Sequence, residues 1–361
     1  MTSLTEFVTL GRSGLRISPA TLGTMTFGED TGWGASVTES EAMLDRYVEA
    51  GGNSIDTANI YTNGHSEKIV GDWLVARSTI RDRLVIGTKF LANLHTGDPN
   101  GGGASRKAIM HQLHDSLRRL GTDYVDIYWL HNFDPVTPQE ETLSTLDDLV
   151  TAGKVRYLGF SDVPAWATAA AAVTTVFRDW PPIIALQLEY SLLERTVEGE
   201  LLPLARRFGM GVLPWGPLKS GWLSGKYRRD EDAQRDATRA SLVGLPGPAD
   251  YDVIEQVAEI AEEIGRTPAE VSLAWVRSRS GVTSTLLGAR RMSQLEANLQ
   301  SLAVELPVEA LRRLDEVSKP HLNFPAENNT LLAPTLHFNG ATVNGVAHDR
   351  FAELEKNPTR Y

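Results

Sequence analysis

Eight short apolar segments alternate with stretches of helical spacing, and this alternation restricts the chain to very few folds. The segments cover residues 20–23, 53–56, 84–89, 124–130, 155–160, 183–186, 211–215 and 282–287, each the length of a buried strand. Between them lie helical patterns. In residues 106–120, Ile109, Leu113, Leu117 and Leu120 share one stripe, and Gly121 is a stop signal. Such alternation implies parallel strands joined by helical crossovers, and eight units are what a (β/α)₈ TIM barrel needs. An open doubly wound sheet would carry a Gly-rich phosphate turn after its first strand, and no G-x-G-x-x-G occurs here. With 361 residues, 42% of them hydrophobic, the chain is expected to form one barrel domain over 1–361. The barrel core should span about 18–320 and a C-terminal extension about 321–361.

The same reading places elements around the barrel. Phe7 to Leu10, a Gly11-to-Gly14 turn and Leu15 to Ile17 form an expected N-terminal β-hairpin. Thr38 with Glu41, and Ser293 with Glu296, have capping-box spacing. The helix opened by Thr38 carries Met43, Leu44, Tyr47 and Val48 and should stop at Gly51-Gly52. A long loop punctuated by Pro and Gly runs from Gly216 to about Asp250 after the seventh strand, a length usually tied to function. A helix is expected over residues 308–317. The tail beyond Pro320 offers Leu331, Leu332, Leu336, Phe338 and Phe351 for packing on the barrel.

In a barrel the carboxyl ends of the strands converge on one mouth. Asp56, Lys89 and His131 end the second, third and fourth strands, and Tyr61 follows Asp56 closely enough to overhang the same opening. Alone, each has an ordinary explanation: a cap, a solvated lysine, a packed tyrosine, a core histidine. Together they suit carbonyl reduction. A free tyrosine, with a pKa of about 10, is a reluctant acid near neutrality. A neighbouring ammonium lowers that value, and a carboxylate keeps the ammonium charged and oriented. His131 can then position the carbonyl oxygen while Tyr61 supplies the proton, a contribution of roughly 10²–10⁴-fold.

These residues sit in a longer series of motifs: Asp56-Thr-Ala-x-x-Tyr61, Thr88-Lys89, His131 followed by Asp134, Gly159-Phe-Ser161 and Gln187-x-x-Tyr190-Ser191-Leu192. The series continues with Pro217-Leu218-x-x-Gly221-x-Leu223-x-Gly225-Lys226-Tyr227 and ends with Gly288-Ala-Arg290-x-x-x-Gln294-x-x-x-Asn298. From Leu22 to about Asn298 the chain resembles the aldo-keto reductase family. The resemblance implies a barrel, bound NADP(H) and reversible reduction of an aldehyde or ketone, with Tyr61 as proton donor and Asp56, Lys89 and His131 completing a tetrad. It further implies that Ser161, Asp162 and Gln187 hold the nicotinamide carboxamide, with Trp215 stacked on the ring and Thr24 and Met25 close by. Gly216, Pro217, Leu218, Ser220 and Lys226 would line the pyrophosphate. Gly288, Arg290, Gln294 and Asn298 would hold the adenosine end, with Arg290 nearest the 2′-phosphate. One departure stands out: where the family commonly has Ser-Asn, this chain has Ser161-Asp162. An ionised aspartate accepts hydrogen bonds but cannot donate to a carboxamide carbonyl.

Charge and composition limit the alternatives. A net charge of -11 argues against bulk attraction to nucleic acid or an anionic membrane, so an anionic cofactor needs local cations such as Arg290 and Lys226. No apolar run reaches the roughly 18 residues of a membrane span. With no cysteine there is no disulfide or thiolate metal site, no other metal site is expected, and a cytoplasmic location is favoured. No secretory leader is visible at the N-terminus. A small-molecule carbonyl is the expected partner; the oligomeric state is not legible. The alternative function is a regulatory NADP(H)-sensing subunit resembling potassium-channel β subunits, which a start so close to the hairpin disfavours. A Schiff-base enzyme using Lys89 would need a neutral lysine, which Asp56 opposes. Phe27, Trp33 and Phe133 are the aromatic candidates for a substrate pocket.

Overall fold

Alternate side chains of a strand point to opposite faces, so closing a sheet sends one set inward and the other toward the surrounding helices. The computed structural model describes residues 2–229, 244–356 and 359 and realises this division. Strands β1 (Val8–Thr9) and β2 (Arg16–Ile17) form an antiparallel hairpin. The barrel strands are β3 (Ala20–Gly23), β4 (Ser54–Asp56), β5 (Val85–Phe90), β6 (Val125–Leu130), β7 (Val155–Ser161), β8 (Ile183–Glu189), β9 (Gly211–Trp215) and β10 (Thr285–Gly288). They pair in parallel in the order β10-β3-β4-β5-β6-β7-β8-β9. The ring is closed by the Val212–Val282 bridge and a Thr283 N–H donated to Val212 O at 2.8 Å. Residues 282–284 serve this bridge, so the last strand starts later than the apolar run suggests. β7 and β8 in turn run past their apolar runs, because Ser161 pairs with Gln187 and Glu189 with Trp215.

Two apolar cores result. The outer one, between strands and helices, contains Leu22, Ile55, Ile86, Phe90, Tyr128, Leu158, Phe160, Leu186 and Val212. The inner one contains Val85, Ile127, Trp129, Ile184, Ala185, Leu213 and Leu286, and it includes Leu10 and Ile17 of the hairpin. The hairpin therefore plugs the amino-terminal end of the barrel. Its Gly11 has φ +58°, and a Cβ there would lie 2.3 Å from Ile184 O, so only glycine fits this turn against the strands. Inside the barrel, Trp129 occupies space left by two mid-strand glycines. A Cβ on Gly159 would lie 2.2 Å from its ring, and one on Gly87 would lie 2.8 Å from its Nε1.

Helix Arg106–Leu120 starts at Ser105, whose hydroxyl accepts from Ala108 N, and ends at Gly121 in the left-handed conformation, as its spacing indicated. Helix Val308–Val317 also matches its expected span. Both expected capping boxes are corrected. Helix Val37–Glu49 is capped by Ser36, which accepts from Glu39 N, because Ser36 is the residue that leaves extended backbone. Helix Met292–Gln300 has no side-chain cap of its own: Glu39 accepts from Met292 N at 2.6 Å, and Glu296 pairs with Arg46.

After β9 the chain makes a 3₁₀ turn, Lys219–Ser224; the part of the expected long loop over 230–243 lies outside the described residues. The tail forms short helices Ala326–Leu331 and Ala333–Phe338, then a small hairpin. Leu331, Leu332, Leu336 and Phe338 stay exposed, contrary to the expected packing on the barrel. Six-residue helices are too short to bury an apolar stripe, and Phe338 stacks locally on His348 instead.

Candidate active site at the carboxyl ends of the strands

The strand register brings the four candidate residues to one end of the barrel. Gly23, Asp56 and Gly87 are direct partners across β3, β4 and β5, and Lys89 pairs with Trp129. His131 follows the end of β6, with its N–H donated to Phe90 O at 3.1 Å. Tyr61 lies beyond β4 in a turn where Thr62 and Asn63 have φ of 46° and 56°. Positive φ is costly for a β-branched residue. Here the Thr62 hydroxyl holds it, donating to Phe27 O at 2.8 Å and accepting from Ser66 N at 3.1 Å.

Lys89 is fully buried, and its ammonium donates to Asp56 Oδ2, to Thr57 O at 2.9 Å and to Tyr61 OH at 2.9 Å. Gln187 Nε2 donates to the other Asp56 oxygen at 3.1 Å. The Trp129 indole N–H also draws on Asp56, but its geometry falls short of a hydrogen bond, so it acts as a nearby dipole only. Behind Lys89, the neighbouring Thr88 donates to buried Glu67, which also accepts from Arg119 Nε at 2.6 Å. The tetrad lysine is thus fixed from both faces of its strand.

Burial pushes Asp56 up against the opposing pull of Lys89 and Gln187. Burial alone would lower Lys89, but the charges of Asp56 and Tyr61 and their hydrogen bonds carry it above its ordinary value. Those two directions compete for one proton. The charged lysine is the firmer conclusion, because acceptors surround its nitrogen on three sides. Tyr61 keeps some surface open to the mouth while its hydroxyl lies deep. Burial of that hydroxyl raises its pKa, and Asp56 and Asp162 add to the rise despite Lys89. The net direction is opposite to the lowering expected from an ammonium neighbour alone. His131 falls to about 3, from burial first and the Lys89 charge second. Its imidazole is neutral near pH 7 and meets the Tyr61 ring edge-on at 6.0 Å between centroids.

The remaining candidates lie around this centre. Ser161 and Gln187 are buried cross-strand partners. Trp215 Nε1 donates to both Asp162 oxygens, at 3.1 and 3.0 Å, and burial raises the Asp162 pKa. The Thr24 hydroxyl is spent on Asp56 O and Ser66, whereas Met25 is exposed. Gly216, Ser220 and Gly221 have positive φ, Pro217 is buried and Leu218 is half-buried, so this turn presents changing backbone directions of the kind that suits anions. Lys226 is exposed. At the end of β10, Gly288 is open, with nothing within 4 Å of a Cβ. Asn298 Nδ2 donates to Gly288 O at 3.1 Å, and Gln294 accepts from Arg290 N at 2.8 Å, so both amides brace this turn. The Arg290 guanidinium donates to Trp33 O at 3.3 Å. Trp215 ends β9 and Gly288 ends β10, with Arg290 two residues beyond, so an indole, an open glycine turn and a guanidinium follow the carboxyl ends of two strands and could contact a planar, anionic ligand.

Several contributors carry no motif. Trp129 was signalled only by the mid-strand glycines, and Glu67, Arg119 and the Lys219–Glu189 pair at 2.7 Å by nothing local. Of the aromatic pocket candidates, Phe27 is fully buried and packs in the outer core. Phe133 meets exposed Trp166 edge-to-face at 5.3 Å. Away from the tetrad, His95, His111 and Asp115 have ligand-type atoms within 4.8 Å of one another, but Arg118 already pairs with Asp115. Among the described residues, no helix is long and apolar enough to cross a membrane.

The sequence profile described as the aldo/keto reductase family matches residues 20–319. A putative aryl-alcohol dehydrogenase of Saccharomyces cerevisiae is 34% identical over 325 residues, covering 87% of this chain and 86% of its own length. A putative voltage-gated potassium channel subunit beta of Schizosaccharomyces pombe is 36% identical over 326 residues, covering 87% and 92%. A norsolorinic acid reductase of Emericella nidulans is 35% identical over 324 residues, covering 87% and 81%. The chain belongs to the aldo/keto reductase family and is an oxidoreductase.

Proposed function

We propose that this aldo/keto reductase converts an aldehyde or ketone to an alcohol, reversibly, with NADP(H) as partner and Tyr61 as the proton donor. The observation that supports the reading best is Lys89 Nζ bridging the Asp56 carboxylate and the Tyr61 hydroxyl, with neutral His131 beside them. When bound, NADP(H) supplies or takes the hydride. Ser161, Gln187, Trp215 and Met25 would hold its nicotinamide end. The 216–221 turn with Lys226 would hold its phosphates, and Gly288 with Arg290 its adenosine end.

The Tyr61 and His131 side chains hold the carbonyl oxygen at the mouth. Because burial keeps Tyr61 protonated, it is poised to give its proton to that oxygen as negative charge develops. The tyrosinate left behind is stabilised by the Lys89 ammonium, which Asp56 keeps charged and in place. His131, being neutral, donates to the oxygen without adding charge. In the oxidative direction Tyr61 takes the proton back, and the high pKa makes the tyrosinate scarce near neutrality, so alcohol oxidation should favour higher pH.

The test is NADPH oxidation across carbonyl classes, beginning with aryl aldehydes because one relative is named for aryl alcohols. Tyr61→Phe should lower kcat/KM by roughly 10²–10⁴-fold while NADPH binding stays nearly intact. Full turnover in that variant would remove Tyr61 from the acid role. The fission-yeast relative, named as a putative potassium channel subunit beta, favours a second reading, a regulatory NADP(H)-sensing subunit resembling potassium-channel β subunits. That reading gains if the chain binds NADPH tightly and turns over no carbonyl.

A further inference from the structure

Asp162 is a carboxylate that the tetrad does not use. It stands one residue past the end of β7 in the left-handed conformation, with φ 52°, and its N–H donates to Gln187 O at 3.2 Å. Trp215 Nε1 donates to both of its oxygens, and Ser161 Oγ reaches Oδ2 at 3.3 Å. Trp215 Nε1 can only donate, and it reaches both oxygens at once, which suits an ionised carboxylate. Among the described residues, no lysine, arginine or histidine forms an ion pair with it. Lys219, on the turn after Trp215, is committed to Glu189. Asp162 follows Ser161, the cross-strand partner of Gln187, and Gln187 Nε2 donates to Asp56, so the carboxylate stands at the same end of the barrel as the tetrad.

We propose that Asp162 sets the preference of this chain for the oxidation state of its nicotinamide, by holding the Trp215 indole and placing an uncompensated negative charge beside the ring. The inference rests on the proposed function, in which the ring lies at this mouth. The oxidised ring is cationic and the reduced ring is neutral. A carboxylate beside it therefore favours the oxidised form, while Trp215 packing and phosphate contacts serve both forms alike. In a partly buried site, one unit charge roughly 6 Å from another is worth about a tenfold change in a binding ratio after screening and charge delocalisation.

The experiment titrates the intact chain with NADP⁺ and with NADPH separately, following tryptophan fluorescence. Asp162→Asn keeps the size and one acceptor for Trp215 but removes the charge. Its amide could also donate to the carboxamide oxygen, which is more electron-rich in the reduced ring, so Asp162→Ser, which has no amide, is measured beside it and must show the same shift. The expected result is a roughly tenfold fall in Kd(NADPH)/Kd(NADP⁺) relative to wild type, mainly through weaker NADP⁺. A shift in Asp162→Asn that is absent from Asp162→Ser would assign the effect to the amide and overturn the inference, and Asp162→Ser alone carries the test if Asp162→Asn does not fold. Both forms binding with an unchanged ratio would overturn the inference and leave the proposed function standing. Wild type binding neither form would remove the proposed function, and this inference with it.

Discussion

Lys89→Met is the most demanding test of the site, because its cost follows from burial. In the wild type the ammonium and the Asp56 carboxylate are both out of water, and Lys89 supplies one of the two side-chain hydrogen bonds that Asp56 accepts. Removing the lysine leaves Asp56 with Gln187 Nε2 as its remaining donor. Breaking one side of a buried pair costs roughly 3–5 kcal/mol. Scaling the usual unfolding entropy per residue to this length gives about 0.8 kcal/mol/K, so the melting midpoint should fall by about 4–6 °C. Asp56→Asn should cost less, since Lys89 retains Thr57 O and Tyr61 OH. The decisive variant is the double one, Asp56→Asn with Lys89→Met, which carries no buried charge at this position. It should melt well above the sum of the single losses, with a coupling of roughly 0.5–3 kcal/mol, yet it should remain inactive. Tryptophan fluorescence melts supply the stabilities, and NADPH oxidation supplies the activity. Strictly additive losses would mean that the two charges are not coupled in the fold, and the account of a pre-set ammonium beneath Tyr61 would fail.

Two further outcomes follow from the same interior. His131 falls to about 3 from an ordinary 6.5, so between those values the unfolded chain binds the extra proton. Stability from this group is complete above about 6.5 and is lost as pH falls toward 3, with a slope of up to roughly 1.4 kcal/mol per pH unit. His131→Gln should flatten that part of the urea-midpoint profile between pH 7 and 5; an unchanged slope would contradict the assignment. Gly159→Ala should destabilise the barrel by roughly 1–3 kcal/mol, because its methyl would overlap the Trp129 ring. Trp129→Leu should recover part of that loss in a double-variant melt, and no recovery would place the clash elsewhere.

How much of this was readable in advance depends on the range of the interaction. The strands were legible because their apolar runs are local, and β3 and β9 fall where the runs placed them. The four mouth residues were legible because barrel geometry turns strand ends into neighbours. Glu67 was not, since a buried glutamate on helix His65–Ala76 is defined by Arg119 and Thr88, one of them more than fifty residues away. The capping boxes misled for a related reason. Thr38 and Ser293 have the right spacing, but Ser36 and the distant Glu39 were already placed to satisfy those helix starts. Lys89 does pull the tyrosine pKa down, but the net shift is upward because a sequence shows the ammonium neighbour and hides the depth of the hydroxyl.

The inner core explains why the mouth behaves as it does. Trp129 separates the apolar plug around Leu10, Ile17 and Leu213 from the polar ring formed by Asp56, Lys89 and Gln187. With this apolar layer beneath them, Lys89 and Asp56 depend on each other for compensation, and burial at the same end of the barrel raises Tyr61 and depresses His131. The protonated phenol is the state from which a proton is given, which is the reductive direction, while the neutral imidazole serves as a hydrogen-bond donor. Asp162 pulls the other way on the opposite partner of the reaction, because a negative charge at the rim favours the oxidised ring. If both effects operate, the tetrad supplies the proton and Asp162 biases the hydride partner, through side chains that share no hydrogen bond although the Asp162 charge adds to the raised Tyr61 pKa. The two should therefore be separable: Tyr61→Phe should remove turnover without altering the NADPH/NADP⁺ binding ratio, and Asp162→Asn should shift that ratio while leaving a working proton donor in place.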